Sequence, residues 1–250
     1  MSGKYRLTYD WHTHTVFSHG TGSIEDNVRA AKDRGLRGVG ISDHGPGHLF
    51  YGLRRARFSE MRAEIERLKP LYPETEILMG VEANILNASG RLDVRPEEFG
   101  AFDYILAGYH YGALGENPLH SVVTNCANLF YDSTGRAAKG SKAKNTALVE
   151  KALYTNDFKM VTHPGDKGPV DLRAVAEACA KTGTLFEINT GHDSLTEDDI
   201  KTAARTDVCF AISSDAHAPA RVGDFMPAVE LALRAGLDLS RIVNLERAEA

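Results

Sequence analysis

Residues 7–15 read Leu7-Thr-Tyr-Asp-Trp-His-Thr-His-Thr15, a short apolar run that ends on two histidines spaced two apart. Side chains i and i+2 of an extended segment point to one side, so His12 and His14 can reach a single ion together. The theme recurs along the chain. With Leu7–Trp11, the runs Gly38–Ser42, Ile77–Val81, Tyr104–Ala107, Met160–Thr162, Leu185–Ile188 and Val208–Ile212 make seven brief apolar segments. Strands buried on both faces of a parallel sheet have this character. Amphipathic stretches alternate with them, which points to an α/β fold, a mainly parallel sheet wrapped in helices. Seven strand–helix units suggest a barrel with one strand fewer than the usual eight; an open doubly wound sheet is the competitor.

The helices carry their own punctuation. Ser23 is placed to cap a helix through Val28, Ala31 and Lys32, with Gly35 as its stop. Ser59 is expected to cap a segment from Glu60 to Lys69 in which Met61, Ile65 and Leu68 share a face. Asp171 begins a helix that ends near Gly183, and Thr196 precedes three acids suited to a first helical turn. No linker or repeat divides the chain, so residues 1–250 read as one domain. One stretch breaks the rhythm. Tyr111 to about Asn145 is long, small and polar, contains Arg136, Lys139, Lys142 and Lys144, and reads as a loop insertion.

Composition narrows the function classes. A formal net charge of -5 gives no general attraction to nucleic acid or to an anionic membrane. Cys126, Cys179 and Cys209 are far apart and form no CxxC pair, so neither a disulfide framework nor a thiolate zinc site is indicated. The first residues lack the apolar core of a signal peptide, and no stretch approaches the roughly 20 apolar residues of a membrane span. The expectation is a soluble, cytoplasmic protein.

Chemistry concentrates where the runs end. After the first come His12, His14 and His19; the second ends in Ser42-Asp-His44, the third in Gly80-Val-Glu82. The fourth ends in Gly108-Tyr-His110, the fifth in Thr162-His163, the seventh in Ser214-Asp215-Ala-His217. The C-terminal ends of parallel barrel strands converge on one rim, where active sites are built. Seven imidazoles and two carboxylates gathered there leave many polar groups to satisfy, and divalent ions satisfy them. Any one of these residues alone reads equally well as a hydrogen-bonded structural group; their joint placement does not. His48, His120 and His192 fit no strand end and read as structural, although His48 and His192 sit in loops that can border the site.

Taken together, Asp10-Trp-His-Thr-His-Thr, Ser42-Asp-His-Gly-Pro, Gly80-Val-Glu-Ala-Asn, Gly108-Tyr-His, Thr162-His-Pro-Gly and Ser214-Asp-Ala-His resemble the PHP (polymerase and histidinol phosphatase) superfamily. The phrases at Gly80 and Thr162 resemble its YcdX-like phosphatase branch, and the similarity runs from about Tyr9 to Val222. The resemblance implies a distorted seven-stranded TIM-like barrel, (β/α)7, with a trinuclear site holding zinc, iron or manganese. By motif, it implies that His12, His14, Glu82 and Asp215 hold one ion. Glu82 would bridge to a second on His110 and His163, and His19, His44 and His217 would hold a third. The chain departs from the commoner pattern in having His19 where an Asp often stands.

The function expected is hydrolysis of a small phosphate monoester by water activated on two or three divalent ions. Asp43, beside His44, is placed to orient that histidine or a bound water, or else to cap its turn. Arg221, just after the last motif, and Arg91 are candidates for phosphate contact, or ordinary surface arginines. An amidohydrolase-like C–N hydrolase, a nuclease-type phosphodiesterase and a non-catalytic metal-binding domain stay open. No lysine ends a middle strand, which argues against the first, and the acidic charge argues against the second. A homo-oligomer is compatible with the sequence.

Overall fold

A computed structural model describes residues 4–86, 89–113 and 118–248 of the chain. Its strands are β1 (Tyr5–Leu7), β2 (Tyr9–Thr13), β3 (Gly38–Ile41), β4 (Glu76–Met79), β5 (Glu82–Asn84), β6 (Leu106–Gly108), β7 (Met160–Val161), β8 (Leu185–Asn189), β9 (Phe210–Ser213) and β10 (Leu245–Arg247). The helices are α1 (Ile24–Asp33), α2 (Phe58–Leu68), α3 (Pro118–Thr134), α4 (Ser141–Thr155), α5 (Leu172–Thr182), α6 (Glu197–Ala204) and α7 (Met226–Arg234).

All the strands from β2 to β9 run parallel, in two sheets ordered β2-β3-β4 and β5-β6-β7-β8-β9. Neighbours follow sequence order, unlike the reversed order of a doubly wound sheet. One closed sheet of seven strands, as expected from the sequence, is not found. The expected third strand, Ile77–Val81, is broken: β4 stops at Met79 and pairs with β3, while β5 starts at Glu82 and pairs with β6. The break falls at Gly80, where a Cβ would lie 2.3 Å from the Tyr104 ring, so the chain passes that ring with no room for a side chain. Single parallel bridges link the two sheets at each side, His44 to Glu82 and Thr13 to Ala216. The first run also divides, at Thr8, and its leading half pairs antiparallel with β10.

Helix ends follow local chemistry. Ser23 caps α1 in a reciprocal box with Asp26, Thr196 caps α6 with Asp199 in the same way, and Asp171 caps α5, which stops at a left-handed Gly183. Ser59 does not cap α2. A 3-10 turn at Arg55–Arg57 runs directly into the helix, so the start moves to Phe58 and Ser59 becomes internal. The larger correction concerns 111–145. Among the described residues that segment is largely helical: α3 fills about half of it and α4 begins within it.

Trp11, Leu106, Met160 and Ala211, drawn from both sheets, pack into a small inner core with Tyr9, Leu78, Tyr104 and Leu185 around it. Each lies a few residues before the side chains that carry polar chemistry, on or just past the end of its strand. A larger apolar layer lies between the strands and the helices. The C-terminal strand ends are therefore left as the polar end of the fold.

Candidate metal centre

Glu82, at the start of β5, is fully buried. Its Oε1 lies 2.9 Å from His163 Nε2, 3.1 Å from His110 Nε2 and 3.3 Å from His12 Nε2. Its Oε2 lies 2.9 Å from His44 Nδ1 and 3.7 Å from His14 Nε2. Five imidazoles thus converge on one carboxylate. Asp215 makes a second focus, its Oδ1 3.1 Å from His14 Nε2 and 3.5 Å from His12 Nε2. His12, on β2, and His14, one residue past its end, lie with ring centres 5.1 Å apart, as their spacing allows.

His163 Nε2 hydrogen-bonds Glu82 Oε1 and lies 3.2 Å from His110 Nε2, but most of the other approaches are not hydrogen bonds. His12 Nε2, both ring nitrogens of His14, His44 Nδ1, Glu82 Oε2 and Asp215 Oδ1 are buried yet lack hydrogen-bond partners. Buried polar atoms are rarely left so. Lone pairs aimed at shared points from several directions are the geometry of ligands around cations, and the residues present fit divalent ions. Three donor groups lie close enough to hold one: His12, His14 and Asp215; His44, Glu82 and His110; and His14, His44 and His217. His19 is in none of these groups. Its ring lies 4.7 Å from that of His44 and 4.1 Å from that of His217.

Protonation supports the same reading. Burial, with the neighbouring imidazoles His217 and His14, pushes His19 down to about 3. Burial and His14 bring His217 down to about 4 and hold His44 well below its usual range, and burial lowers His110. Each is neutral near pH 7, as a ligand must be. Burial works against charge on Glu82 and Asp215, but the surrounding imidazoles outweigh it and hold both carboxyls well below the usual range. His12 moves the other way: burial disfavours its cation, yet Asp215, Glu82 and Glu187 together raise it well above normal.

Backbone strain marks the same residues. Among the described residues, the non-glycine positions with positive φ are His163 at 28° and Asp215 at 50°. Conformations of this sort persist where the surroundings over-determine them, commonly at functional sites. A third device is Gly20, just past His19. A Cβ there would sit 2.6 Å from the carbonyl carbon and oxygen of His14, so only glycine lets the turn lie against that backbone.

Sequence reading missed Glu187. Its Oε1 lies 2.7 Å from His12 Nδ1, and its Oε2 accepts from the His163 backbone N–H and, at 3.0 Å, from Asn189 Nδ2. The carboxylate fixes the imidazole so that Nε2 faces Glu82 and Asp215, a support that metal-binding histidines commonly have. The signal was present: a charged residue in the middle of the apolar run Leu185–Ile188. Asn189 donates onward to Asp215 Oδ2 at 3.1 Å. His192 was read as structural, but its Nε2 lies 3.2 Å from Asp215 Oδ2 and its Nδ1 3.4 Å from Asp166. His48 stacks on Tyr51, with ring centres 3.6 Å apart, at the edge of the cluster. The side chain of His120 lies outside the described residues.

Asp43 does not serve His44. Its carboxylate accepts from the N–H of Thr15 at 2.8 Å and of Ser18 at 3.1 Å, and from both hydroxyls, so it ties down the turn that carries His19. Arg221 donates to the carbonyl of Thr190 at 2.7 Å and lies 3.3 Å from Asp224. Arg91 sits on the exposed turn that leads into Leu92, whose backbone bridges to Ile85.

The fold and the cluster define a class: a parallel α/β protein with a set of histidines and carboxylates suited to divalent ions at the ends of its strands. The chain belongs to the PHP domain family, whose model matches residues 10–191. It is 28% identical over 250 residues to the probable phosphatase YcdX of Shigella flexneri, covering 94% of this chain and 89% of that protein. Among solved structures it is similar to a histidinol phosphate phosphatase from Lactococcus lactis complexed with zinc, L-histidinol and phosphate. That likeness has a TM-score of 0.60 at 16% identity and covers 93% of this chain and 95% of the other. A putative histidinol phosphatase from Listeria monocytogenes gives a TM-score of 0.63 at 14% identity, covering 86% of this chain and 97% of the other. Among the described residues no helix is long and apolar enough to cross a membrane.

Proposed function

We propose that this chain is a cytoplasmic metal-dependent phosphatase that hydrolyses a small phosphate monoester at a di- or trinuclear centre. The observation that carries the reading is Glu82, a buried carboxylate within 3.7 Å of five imidazoles whose donor atoms are largely without hydrogen bonds. His12, His14, Asp215 and Glu82 hold one ion, and Glu82, His110 and His163 a second. His44 and His217 hold a third, with His19 closing it. Imidazole-rich, thiolate-free ligation suits zinc, with iron or manganese as alternatives. Bound ions supply a water of lowered pKa and positive charge opposite the phosphate oxygens.

The protein's own residues prepare that chemistry. Glu187 orients His12 from behind, Asp43 holds the His19 turn in place, and Asn189 steadies Asp215. In this reading the two parallel sheets act as one distorted seven-stranded barrel, closed at its seams by the His44–Glu82 and Thr13–Ala216 bridges. Relatives named as phosphatases support the assignment. The test is phosphate release from a panel of small phosphomonoesters by metal-loaded protein, with a chelated control. Release that stops on chelation supports it. Silence across the panel with metal bound refutes it and favours C–N hydrolysis, a nuclease or a binding domain.

A further inference from the structure

Helix α3 is inside out. The residues it turns towards the body of the protein are polar: Ser121 and Asn128 are buried, Asn128 accepting at 2.9 Å from Asn145 on α4, and Asn125 accepts from the Tyr109 hydroxyl. Its apolar residues face outward. Leu119 is 74% exposed, Val122 49%, Val123 59%, Leu129 48% and Phe130 52%. Their spacing of three, four and seven residues lays them along a single stripe, with exposed Cys126 at its middle. Residues 118–134 carry one charged side chain, Asp132. A helix at a solvent boundary normally shows the opposite arrangement.

The stripe is large. Side chains of roughly 150–200 Å² each, at these exposures, leave roughly 450 Å² of apolar surface, within the roughly 300–600 Å² of a monomer's largest patch, which is often functional. Two such stripes face to face remove roughly 900 Å², above the ~800 Å² total typical of adventitious contacts; the flanking polar rim brings each copy towards the ~800 Å² of a stable pair. A stripe with almost no charge meets its own copy without like-charge repulsion. Helices that lie on membranes carry lysine or arginine along their polar face, and α3 has neither.

We infer that α3 is the contact of a two-fold homodimer, packed antiparallel on α3 of a second copy with Cys126 nearest the axis. Cys126 falls midway along the stripe, so full overlap of the two stripes brings the two thiols together. The test uses the metal-loaded full chain in sedimentation velocity under reducing conditions. We expect a dimer, which Val123→Glu with Phe130→Glu weakens at least about 100-fold, to monomer, with metal content and far-UV circular dichroism unchanged. Val122→Lys with Leu129→Lys provides a second disrupting pair should the first fold poorly. A short bismaleimide should join two chains in the dimer, and Cys126→Ser, not Cys209→Ser, should abolish the product. A wild-type monomer at high concentration overturns the inference, as does a dimer that survives both pairs of changes. Cross-linking through Cys209, or none in a dimer, overturns the antiparallel register. A monomer that co-sediments with phosphatidylglycerol vesicles shows instead that the stripe, with Arg136, Lys139, Lys142 and Lys144 beyond it, meets a membrane. None of these readouts depends on catalysis.

Discussion

Glu187→Gln keeps volume and removes charge, and it sets a problem that the site cannot solve by small movements. One carboxylate oxygen faces His12 Nδ1 at 2.7 Å, and the other accepts from the His163 N–H and from Asn189 Nδ2. Glutamine offers one acceptor oxygen and one donor group. Placed towards His12, the amide oxygen preserves that bond, but the NH2 then meets two donors. Placed the other way, the NH2 meets Nδ1 and drives the imidazole to the tautomer that puts its proton on Nε2, the ligand atom. Either way one support is lost. Losses of this kind cost roughly 10–100-fold in metal affinity, about 1.4–2.8 kcal/mol. The assay is competition against a chromophoric chelator, with the melting temperature of metal-free protein as the control for folding. Affinity within about twofold of wild type in a well-folded variant would refute the argument that Glu187 orients His12, since the substitution removes what the geometry says is needed.

Three further outcomes are expected. Glu82→Ala should abolish phosphatase activity and lower metal content by elemental analysis; full activity would rule out its central position. Gly20→Ala pushes a methyl group against the His14 backbone, so it should cost one bound ion while the others stay, visible as a change in metal stoichiometry. Asp93 is buried and accepts from the backbone N–H groups of Asn84 and Gly47, at 2.8 Å each. Burial raises its pKa to about 6, above its unfolded value. Its contribution to stability is therefore full below about pH 4 and lost as pH rises through about 6. Urea unfolding should show the wild-type stability, measured against Asp93→Asn, falling by up to about 3 kcal/mol between pH 4 and pH 7. A difference that stays flat with pH would contradict the raised value.

Much of the site could be read from residue order because strand ends in a parallel sheet are forced together, and ligands placed there need no long-range inference. His12, His14, Glu82, His110, His163 and Asp215 are of this kind. Glu187 was hidden because it sits inside an apolar run, where the strand signal hides a single acid. His192 was hidden because its neighbour in space, Asp215, is more than twenty positions away in sequence. Asp43 reads in sequence as orienting His44 or a bound water or as holding a turn, and four donors from Thr15 and Ser18 claim its carboxylate. The break at Gly80 was not legible, since it falls where the Tyr104 ring packs from the segment leading into β6. The segment from 111 to 145 misled through composition. Its inward face is polar and its outward face apolar, so the ordinary periodic signal of a helix is inverted.

The donor set begins at His12 on β2 and ends at His217 beyond β9, with Thr13 bridged to Ala216 across the seam. A chain emerging from the ribosome thus carries most of these donors before Asp215 joins them. The first strand must wait unpaired on that side until the ninth arrives, a contact of very large sequence separation and so a slow one to form. On the proposed reading, a molecule released short of Asp215 would hold some of the donors in roughly the right place, yet the group built from His12, His14 and Asp215 could not close.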